Sequence, residues 1–367
     1  MSGQAAIRLA GLTKRYPGAE RPAVDSLDLE IPAGEIVALV GPSGCGKTTT
    51  LKMINRLIEP TTGTIEIDGR PVGELPVHEL RRGIGYVIQH TGLFPHKTIA
   101  GNIGTVPRLL GWDRARIDER VNELSDLVGL ERHMLARYPG SLSGGQQQRV
   151  GVARALAADP PILLMDEPYS AVDPIVRARL QDELLELQRR LHKTIVLVTH
   201  DVDEAIKLGD RVAILDVGGV LAQVAPPAEI LAEPASAFVA DFLGDERGLK
   251  RLALMTVSEI EPGNGPIADV GDDAAAARSA MDAHNVKWFG VCENGRILGW
   301  LWGHELGTTV TATEARPFRS VVRPHTTLRT ALDGIVGSLT NVAIVEDHDG
   351  RYRGMVRVEE ISEGVRR

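Results

Sequence analysis

Between Glu35 and Val224, short apolar runs alternate with segments whose apolar positions recur at helical spacing, the pattern of a mostly parallel sheet covered by helices. Strands are predicted near Ile36 to Val40, Ile84 to Gln89, Ile162 to Asp166, Thr194 to Thr199 and Arg211 to Leu215. The best-defined helix follows Asp173, which can cap it. Pro174 suits the first turn, and Val176, Leu180, Leu184, Leu187 and Leu191 form a stripe expected to face the sheet. A second amphipathic helix, with Ile117, Val121, Leu124 and Val128 on one side, falls between the second and third strands and reads as part of a helical insertion. The predicted class is α/β.

The pattern changes near Gly244 to Lys250, which divides the chain into residues 1–245 and 250–367. The second part carries a tandem repeat: Gly295, Gly299 and Glu305 recur as Gly350, Gly354 and Glu360 at one offset of 55, with Ala276 and Ala331 on comparable helices upstream. Each copy reads as helix, strand, glycine-containing turn, strand, helix, one around Asp273 to Leu306 and the other around Thr327 to Ile361. Two such units would bury their apolar faces against each other. The rival reading is chance matching of turn glycines.

At 367 residues, two domains are the default expectation. Hydrophobic residues at 43% and charged residues at 25% are ordinary for a soluble globular chain. The net charge of -8 argues against a dedicated nucleic-acid binder. Two cysteines, Cys45 and Cys292, are too few for a disulfide framework and fit a reducing compartment. No run approaches the ~18 apolar residues of a membrane span, so any membrane role must be borrowed from a partner.

Gly41-Pro42-Ser43-Gly44-Cys45-Gly46-Lys47-Thr48 follows a predicted strand and opens a helix whose Leu51, Ile54 and Ile58 form an apolar stripe. In this context glycines let successive N–H groups point inward, the helix N-terminus adds positive potential, Lys47 reaches the β- and γ-phosphates, and the Thr48 hydroxyl can hold Mg²⁺. Pro161 to Glu167 reads as a buried strand ending in two carboxylates, Asp166 and Glu167. Beside a phosphate loop, an acid there holds Mg²⁺ through its water shell, and Glu167, one residue farther, can accept a proton from the attacking water. Gln89 and His200 also end strands. Ligands bind outside the carboxyl ends of an open parallel sheet, so all these groups are expected on one rim.

Leu142-Ser143-Gly144-Gly145-Gln146-Gln147-Gln148-Arg149, shortly before the Asp166-Glu167 strand, resembles the signature sequence of ATP-binding-cassette (ABC) ATPases. A Ser and two glycines opening a helix offer donors to a phosphate. The phosphate loop already fills that function within one chain, so the second turn suggests service to another subunit's site. The resemblance spans about residues 7 to 240. It implies a P-loop ATPase domain with a mostly parallel sheet, an antiparallel β subdomain and a helical subdomain.

Carried onto this chain, the resemblance makes Tyr16 the aromatic that stacks on adenine and Gly41 to Thr48, with Thr49, the phosphate loop. Gln89 senses Mg²⁺ and relays to the membrane subunit. Ser143 and Gly145, flanked by Gly144 and Gln146, touch the γ-phosphate across a homodimer. Asp166 holds Mg²⁺ with Thr48, Glu167 is the general base, Asp173 crosses the dimer interface in Tyr169-Ser170-Ala171-Val172-Asp173, and His200 contacts the γ-phosphate. ATP and Mg²⁺ are the implied ligands, and the cytoplasmic membrane face is the implied location.

Met53-Ile54-Asn55-Arg56-Leu57-Ile58-Glu59-Pro60 and the segment from Ile84 to Trp112, including Gln89-His90-Thr91-Gly92-Leu93-Phe94-Pro95-His96, resemble importers of quaternary amines such as glycine betaine, choline or carnitine. Lys97 departs from the apolar residue common there. Such systems pair the ATPase with integral-membrane permease subunits and, indirectly, an extracytoplasmic solute-binding protein. The C-terminal repeat is similar to a pair of CBS modules, though Arg357 and Glu360, like Trp302 and Glu305, stand where nucleotide-binding versions have Ser/Thr and Asp. Clustered Arg351, Arg353 and Arg357 suggest regulation by ionic strength, anionic lipid or a small molecule; dimerisation or a structural role is the alternative. Rival functions are the ATPase of another importer, a non-transport ABC ATPase, and a regulatory module with little turnover.

Overall fold

A computed structural model describes residues 5–89, 92–170 and 172–366; His90, Thr91 and Ala171 lie outside the described residues. The chain divides into two compact units, Met1–Leu243 and Gly244–Arg367.

The first unit is built on a six-stranded sheet in the spatial order Val220–Ala225, Arg211–Asp216, Ile36–Val40, Thr194–Val198, Ile162–Asp166, Ile84–Val87. Every neighbouring pair is parallel except the first, which is antiparallel. Every residue of Ile36–Val40, Ile162–Asp166 and Thr194–Val198 is buried, which is why these strands read as unbroken apolar runs. The edge strand Val220–Ala225 was not predicted. Its outer residues are exposed or half-buried, and its best signal was the turn at Gly218 and Gly219, both with positive φ.

A second, antiparallel sheet pairs Val24–Pro32, Ala5–Lys14, Thr62–Ile67 and Arg70–Pro71 in that order. Ile7, Leu27, Leu29 and Ile31 from it share one apolar cluster with Leu39, Leu51, Ile54, Leu164 and Val196, so the two sheets and the helix Lys47–Ile54 enclose a common core. That helix stops at Ile54, and Arg56 turns into the left-handed region. The predicted stripe therefore ends one turn early: Ile58 packs against the core from the following loop rather than from the helix.

Arg114–Leu127 buries Ile117, Val121 and Leu124, with Val128 buried just past its end. Pro174–Leu191 begins at Asp173, whose Oδ1 accepts from the Val176 N–H at 3.0 Å. Leu180, Leu184 and Leu187 are buried, whereas Val176 and Leu191 are only half-buried.

The second unit contains two copies of a strand–helix–strand–strand module. The first is Ile267–Asp269, Ala274–Ala283, Trp288–Glu293 and Arg296–Trp302; the second is Val321–Val322, Leu328–Val336, Ala343–Glu346 and Tyr352–Val356. A short parallel strand thus precedes each helix, which the sequence reading omitted. The closing helix is full in the second copy, Val358–Arg366, and only a 3-10 turn, Gly303–Glu305, in the first.

The offset also shifts within each copy. The helix caps Asp273 and Thr327 stand 54 residues apart, as do the buried Ala277 and Ala331, so Ala277 and not the exposed Ala276 is the counterpart of Ala331. The hairpin is the cause. Asn294 and Gly295, both with positive φ, make a two-residue turn, and the second copy uses one residue more, closing through a Gly350 N–H bond to the Asp347 carbonyl. Beyond it, Glu305 and Glu360 each accept from the backbone N–H three residues earlier, Trp302 and Arg357, at 2.9 Å. Trp288 and Trp300 of the first copy and Phe318 of the connection pack with Val342, Ile344 and Met355 of the second, so the modules share a core.

One buried acid in the first unit is under strain. Glu204, 5% exposed, leaves Oε1 without a partner among the described residues. Burial, with the nearby Asp201 charge, pushes its carboxyl up to about 7, against the opposing Arg177 charge and Thr199 hydrogen bond. The folded chain therefore holds this proton more tightly than the unfolded chain, whose Glu titrates near 4.5. The stability it confers is complete below that value and is lost as pH rises to about 7. Glu204→Gln should accordingly stabilise the fold by roughly 1–3 kcal/mol at pH 8, with the gain vanishing near about pH 4.5; denaturant unfolding at both pH values measures it, and equal stabilities at pH 8 would contradict the assigned cause.

Candidate active site

The phosphate loop leaves the buried strand Ile36–Val40 and enters Lys47–Ile54 through Gly46, which adopts a left-handed conformation at φ 90°. Side chains are excluded at both ends of the loop. A Cβ on Gly46 would lie 2.2 Å from the Ala23 carbonyl oxygen, and one on Gly41 would lie 2.2 Å from that of Leu215. Cys45 is buried beneath the turn, while Ser43 and Gly44 face outward. A cleft of about 550 Å³ opens over the loop, lined by Ala23, Ser43, Gly44, Gly46, Lys47, Thr48, Thr49, Glu167 and His200.

Lys47 is 7% exposed, and its Nζ donates to the carbonyls of Gly41 at 2.7 Å and Pro42 at 3.1 Å. A buried ammonium satisfied by loop carbonyls is a cation held ready at the cleft wall, where phosphate oxygens could replace those partners. Thr48 Oγ1 donates to Asp166 Oδ1 at 2.8 Å, joining the loop to the strand Ile162–Asp166. Burial raises the Asp166 carboxyl above its usual range; the Thr48 hydrogen bond opposes this, the Glu167 charge adds to it, and Lys52 and Lys47 counter it.

The chain kinks at Glu167, whose φ is 44°, a left-handed value for a residue with a side chain. Its N–H still reaches the Val198 carbonyl at 2.9 Å. The kink turns its carboxylate toward the ends of the neighbouring strands: Gln89 Nε2 donates to Oε2 at 3.1 Å, and His200 Nδ1 lies 3.1 Å from the same oxygen. Gln89, the Asp166-Glu167 pair and His200, predicted to end three separate strands, thus gather at one rim.

These residues fit a nucleotide and a magnesium ion. The glycine cradle leaves room for an anion against backbone amides, and Thr48 and Asp166 present hard oxygen donors side by side. No cluster of three His, Cys, Asp or Glu side chains able to hold a metal occurs among the described residues. A magnesium ion would therefore need substrate phosphates and water to complete its shell, as this ion usually does.

The remaining predicted residues lie elsewhere in the chain. Ser143 caps the helix Gly144–Leu156 in a reciprocal box: Gln146 N–H donates to Ser143 Oγ at 3.3 Å, and Ser143 N–H to Gln146 Oε1 at 2.9 Å. Ser143 and Gly144 are exposed and Gly145 is buried; none of them lines the cleft of its own chain. Asp173 is likewise exposed. Tyr16 is 40% exposed, with the Lys14 ammonium 5.5 Å from its ring centroid, and stands outside that lining.

Sequence reasoning passed over Ala23, whose carbonyl packs on the loop, and Asp201, which caps Val202–Leu208 immediately after His200. The Asp cap before a helical pattern was the available signal for the second; nothing local marks the first.

A sequence profile described as ABC transporter matches residues 24–170. The chain is 47% identical over 365 residues to the osmoprotectant import ATP-binding protein OsmV of Salmonella typhimurium, covering 97% of this chain and 95% of that one. With the glycine betaine/carnitine/choline transport ATP-binding protein OpuCA of Bacillus subtilis it shares 57% identity over 241 residues, 66% of this chain and 63% of the relative. Among solved structures, the ABC transporter cassette MJ0796, in a dimeric post-hydrolysis state bound to ADP and Pi, is 34% identical at a TM-score of 0.55, covering 60% of this chain and 98% of that chain. Identity at this level from one end of the sequence to the other means that the chain belongs to the ABC transporter family.

Proposed function

We propose that this chain is the ATP-hydrolysing subunit that powers uptake of an osmoprotectant of the quaternary-amine class, working as a pair of copies against membrane-embedded permease subunits. The observation that carries the reading is the presence of two anion-receiving turns in one chain. The phosphate loop lines the chain's own cleft, while the Ser143-Gly144-Gly145 turn, exposed at Ser143 and Gly144, opens a helix and lines none of it. A second copy facing the first would let each such turn cover the nucleotide of the other, with Asp173 at the seam and Tyr16 against the adenine. The dimeric cassette structure supports that arrangement, and the names of the relatives support the cargo class and import.

Hydrolysis then follows from the chain's own groups. Lys47 exchanges its carbonyl partners for phosphate oxygens and the loop amides orient the β- and γ-phosphates. Bound magnesium, held by Thr48 and Asp166 with Gln89 beside it, would supply charge neutralisation on the phosphate oxygens. Glu167, steadied by Gln89 and His200 on one oxygen, takes the proton of a water whose oxygen attacks the γ-phosphorus. The bond from that phosphorus to the bridging oxygen breaks, releasing ADP and phosphate, and His200 is near enough to steady the transferred group.

No helix among the described residues is long and apolar enough to cross a membrane. A groove of about 340 Å³ lined by Tyr86, Phe94, Thr105, Leu109 and Arg154, among others, adjoins the segment after Gln89. Leu109 is 76% exposed there, and an amphipathic permease segment would cover it. Attachment at the inner membrane face and an external solute-binding protein complete the system.

We also read the second unit as a CBS-like regulatory pair. Arg357 Nη2 lies 3.3 Å from His284 Nδ1 at the edge of a cleft that also holds Lys287, and Arg353 pairs with Asp347 at 2.8 Å. The Arg353–Asp347 ion pair loosens as salt rises, and the basic groups Arg357 and Lys287 beside one cleft suit a sensor of ionic strength or of anionic headgroups.

Glu167→Gln should lower steady-state ATPase activity by about 100-fold or more while leaving ATP binding intact; a rate equal to the parent's would remove the assigned base. Cells lacking the chain should lose uptake of labelled betaine or choline and keep uptake of unrelated solutes, and unchanged betaine and choline uptake would reject the cargo class. In vesicles holding the whole transporter, reversing the charge of Arg351, Arg353 and Arg357 should flatten the salt dependence of uptake, an outcome that a purely structural role for the second unit would not give.

A further inference from the structure

We propose that Arg177 is a positioning residue that ties the loop carrying Asp173 to the loop carrying His200, so that the state of a chain's own cleft sets the geometry of the segment it offers to its partner. The inference rests on the two-copy reading above and adds the link between the two sites.

Arg177 sits in the first turn of Pro174–Leu191. Its Nη2 donates to the Val172 carbonyl at 3.2 Å, the residue just before Asp173, and its Nη1 lies 3.5 Å from Asp201 Oδ2, the residue just after His200. Asp201 is itself fixed. Its N–H donates to Thr199 Oγ1 at 3.0 Å, and its Oδ1 accepts from the N–H groups of Asp203 at 2.9 Å and Glu204 at 3.3 Å, capping Val202–Leu208. One guanidinium therefore spans from the backbone beside Asp173 to the cap beside His200. Farther along, Lys207 Nζ reaches Asp182 Oδ1 at 2.8 Å and the Ala178 carbonyl at 3.3 Å, holding the same two helices in register. A planar five-donor group can serve both partners at once, which a lysine ammonium does with less directional control.

The link is incompletely satisfied as it stands. Arg177 Nε is buried with no partner among the described residues, and so is Glu204 Oε1 on the adjoining helix. A donor and an acceptor that both lack partners are costly to bury. The Arg177 charge acts on the Glu204 carboxyl, so the two unpartnered groups are neighbours, and a guanidinium turning toward Glu204 would do so at the expense of its hold on Val172. We infer a second arrangement of the two loops on this basis, the kind of element that carries coupling between sites.

The test uses the full chain in the Glu167→Gln background, with ATP-driven dimerisation followed by light scattering and nucleotide binding followed with a fluorescent ATP analogue. Arg177→Ala should weaken the ATP-driven dimer about tenfold, the loss of one charge-assisted link, while analogue affinity stays within about twofold, because Arg177 does not line the cleft. Arg177→Lys should recover part of the loss, and Asp201→Asn should add little to Arg177→Ala if the two act as one link. With Glu167 intact, Arg177→Ala should bring the Hill coefficient of hydrolysis down to about one. Unchanged dimerisation and an unchanged Hill coefficient would overturn the inference, as would a loss of analogue binding in step with the loss of dimer, which marks simple misfolding. If the Glu167→Gln chain itself stays monomeric with ATP, the shared-site reading fails first and this inference falls with it.

Discussion

The phosphate loop is pinned between two carbonyl oxygens that belong to different sheets. Ala23 leads into the antiparallel strand Val24–Pro32, and Leu215 lies in Arg211–Asp216 of the six-stranded sheet; each comes close enough to exclude a Cβ, at Gly46 and Gly41 respectively. The direction of the loop amides is therefore a property of how the two sheets pack. The apolar cluster that joins those sheets, from Ile7 and Leu27 to Leu39 and Val196, does more than stabilise the fold: it sets where a phosphate can sit. Rigid, fully buried strands on either side suit a site that depends on donors fixed in advance.

Charge is handled at the rim by the same economy of structure. Asp166 is buried and loses solvation, and the Thr48 hydroxyl and the ammonium groups of Lys47 and Lys52 offset part of that loss. Glu167 stays more accessible and gathers Gln89 and His200 on one oxygen. Glu204 has only Thr199 and the Arg177 charge against its burial, and it belongs to the helix that follows His200. The two buried acids, Asp166 and Glu204, thus differ in what offsets their burial, and the difference arises from their neighbours.

Much of this was legible along the chain because the central strands are buried on both faces and so advertise themselves as continuous apolar runs. The phosphate loop, the Asp166-Glu167 terminus and the polar residues ending the second and fourth strands could be aligned on one rim by topology alone. What escaped was information that local patterns do not contain. Val220–Ala225 is an edge strand with a weakly apolar face, Ile58 falls just beyond a helix that its spacing suggested it would join, and the one-residue difference between the two hairpins of the second unit displaced the helix match by a position. The contact between Arg177 and Asp201 joins residues on two helices and exists only once both have docked. Ser143, Gly145 and Asp173 were singled out by resemblance; Ser143 and Asp173 are exposed and Gly145 is buried beside the exposed Gly144, and all three stand outside the lining of the chain's own cleft.

Glu167 ends its strand in a backbone region that glycine occupies freely and that a side-chain-bearing residue enters at a cost of order 1–3 kcal/mol. The position whose main chain would relax most as glycine is the one that must carry a carboxylate. Conformational comfort and chemistry therefore pull this residue in opposite directions. A search for hardier versions of the chain that judged each site by folding free energy alone would favour erasing the acid on which turnover depends.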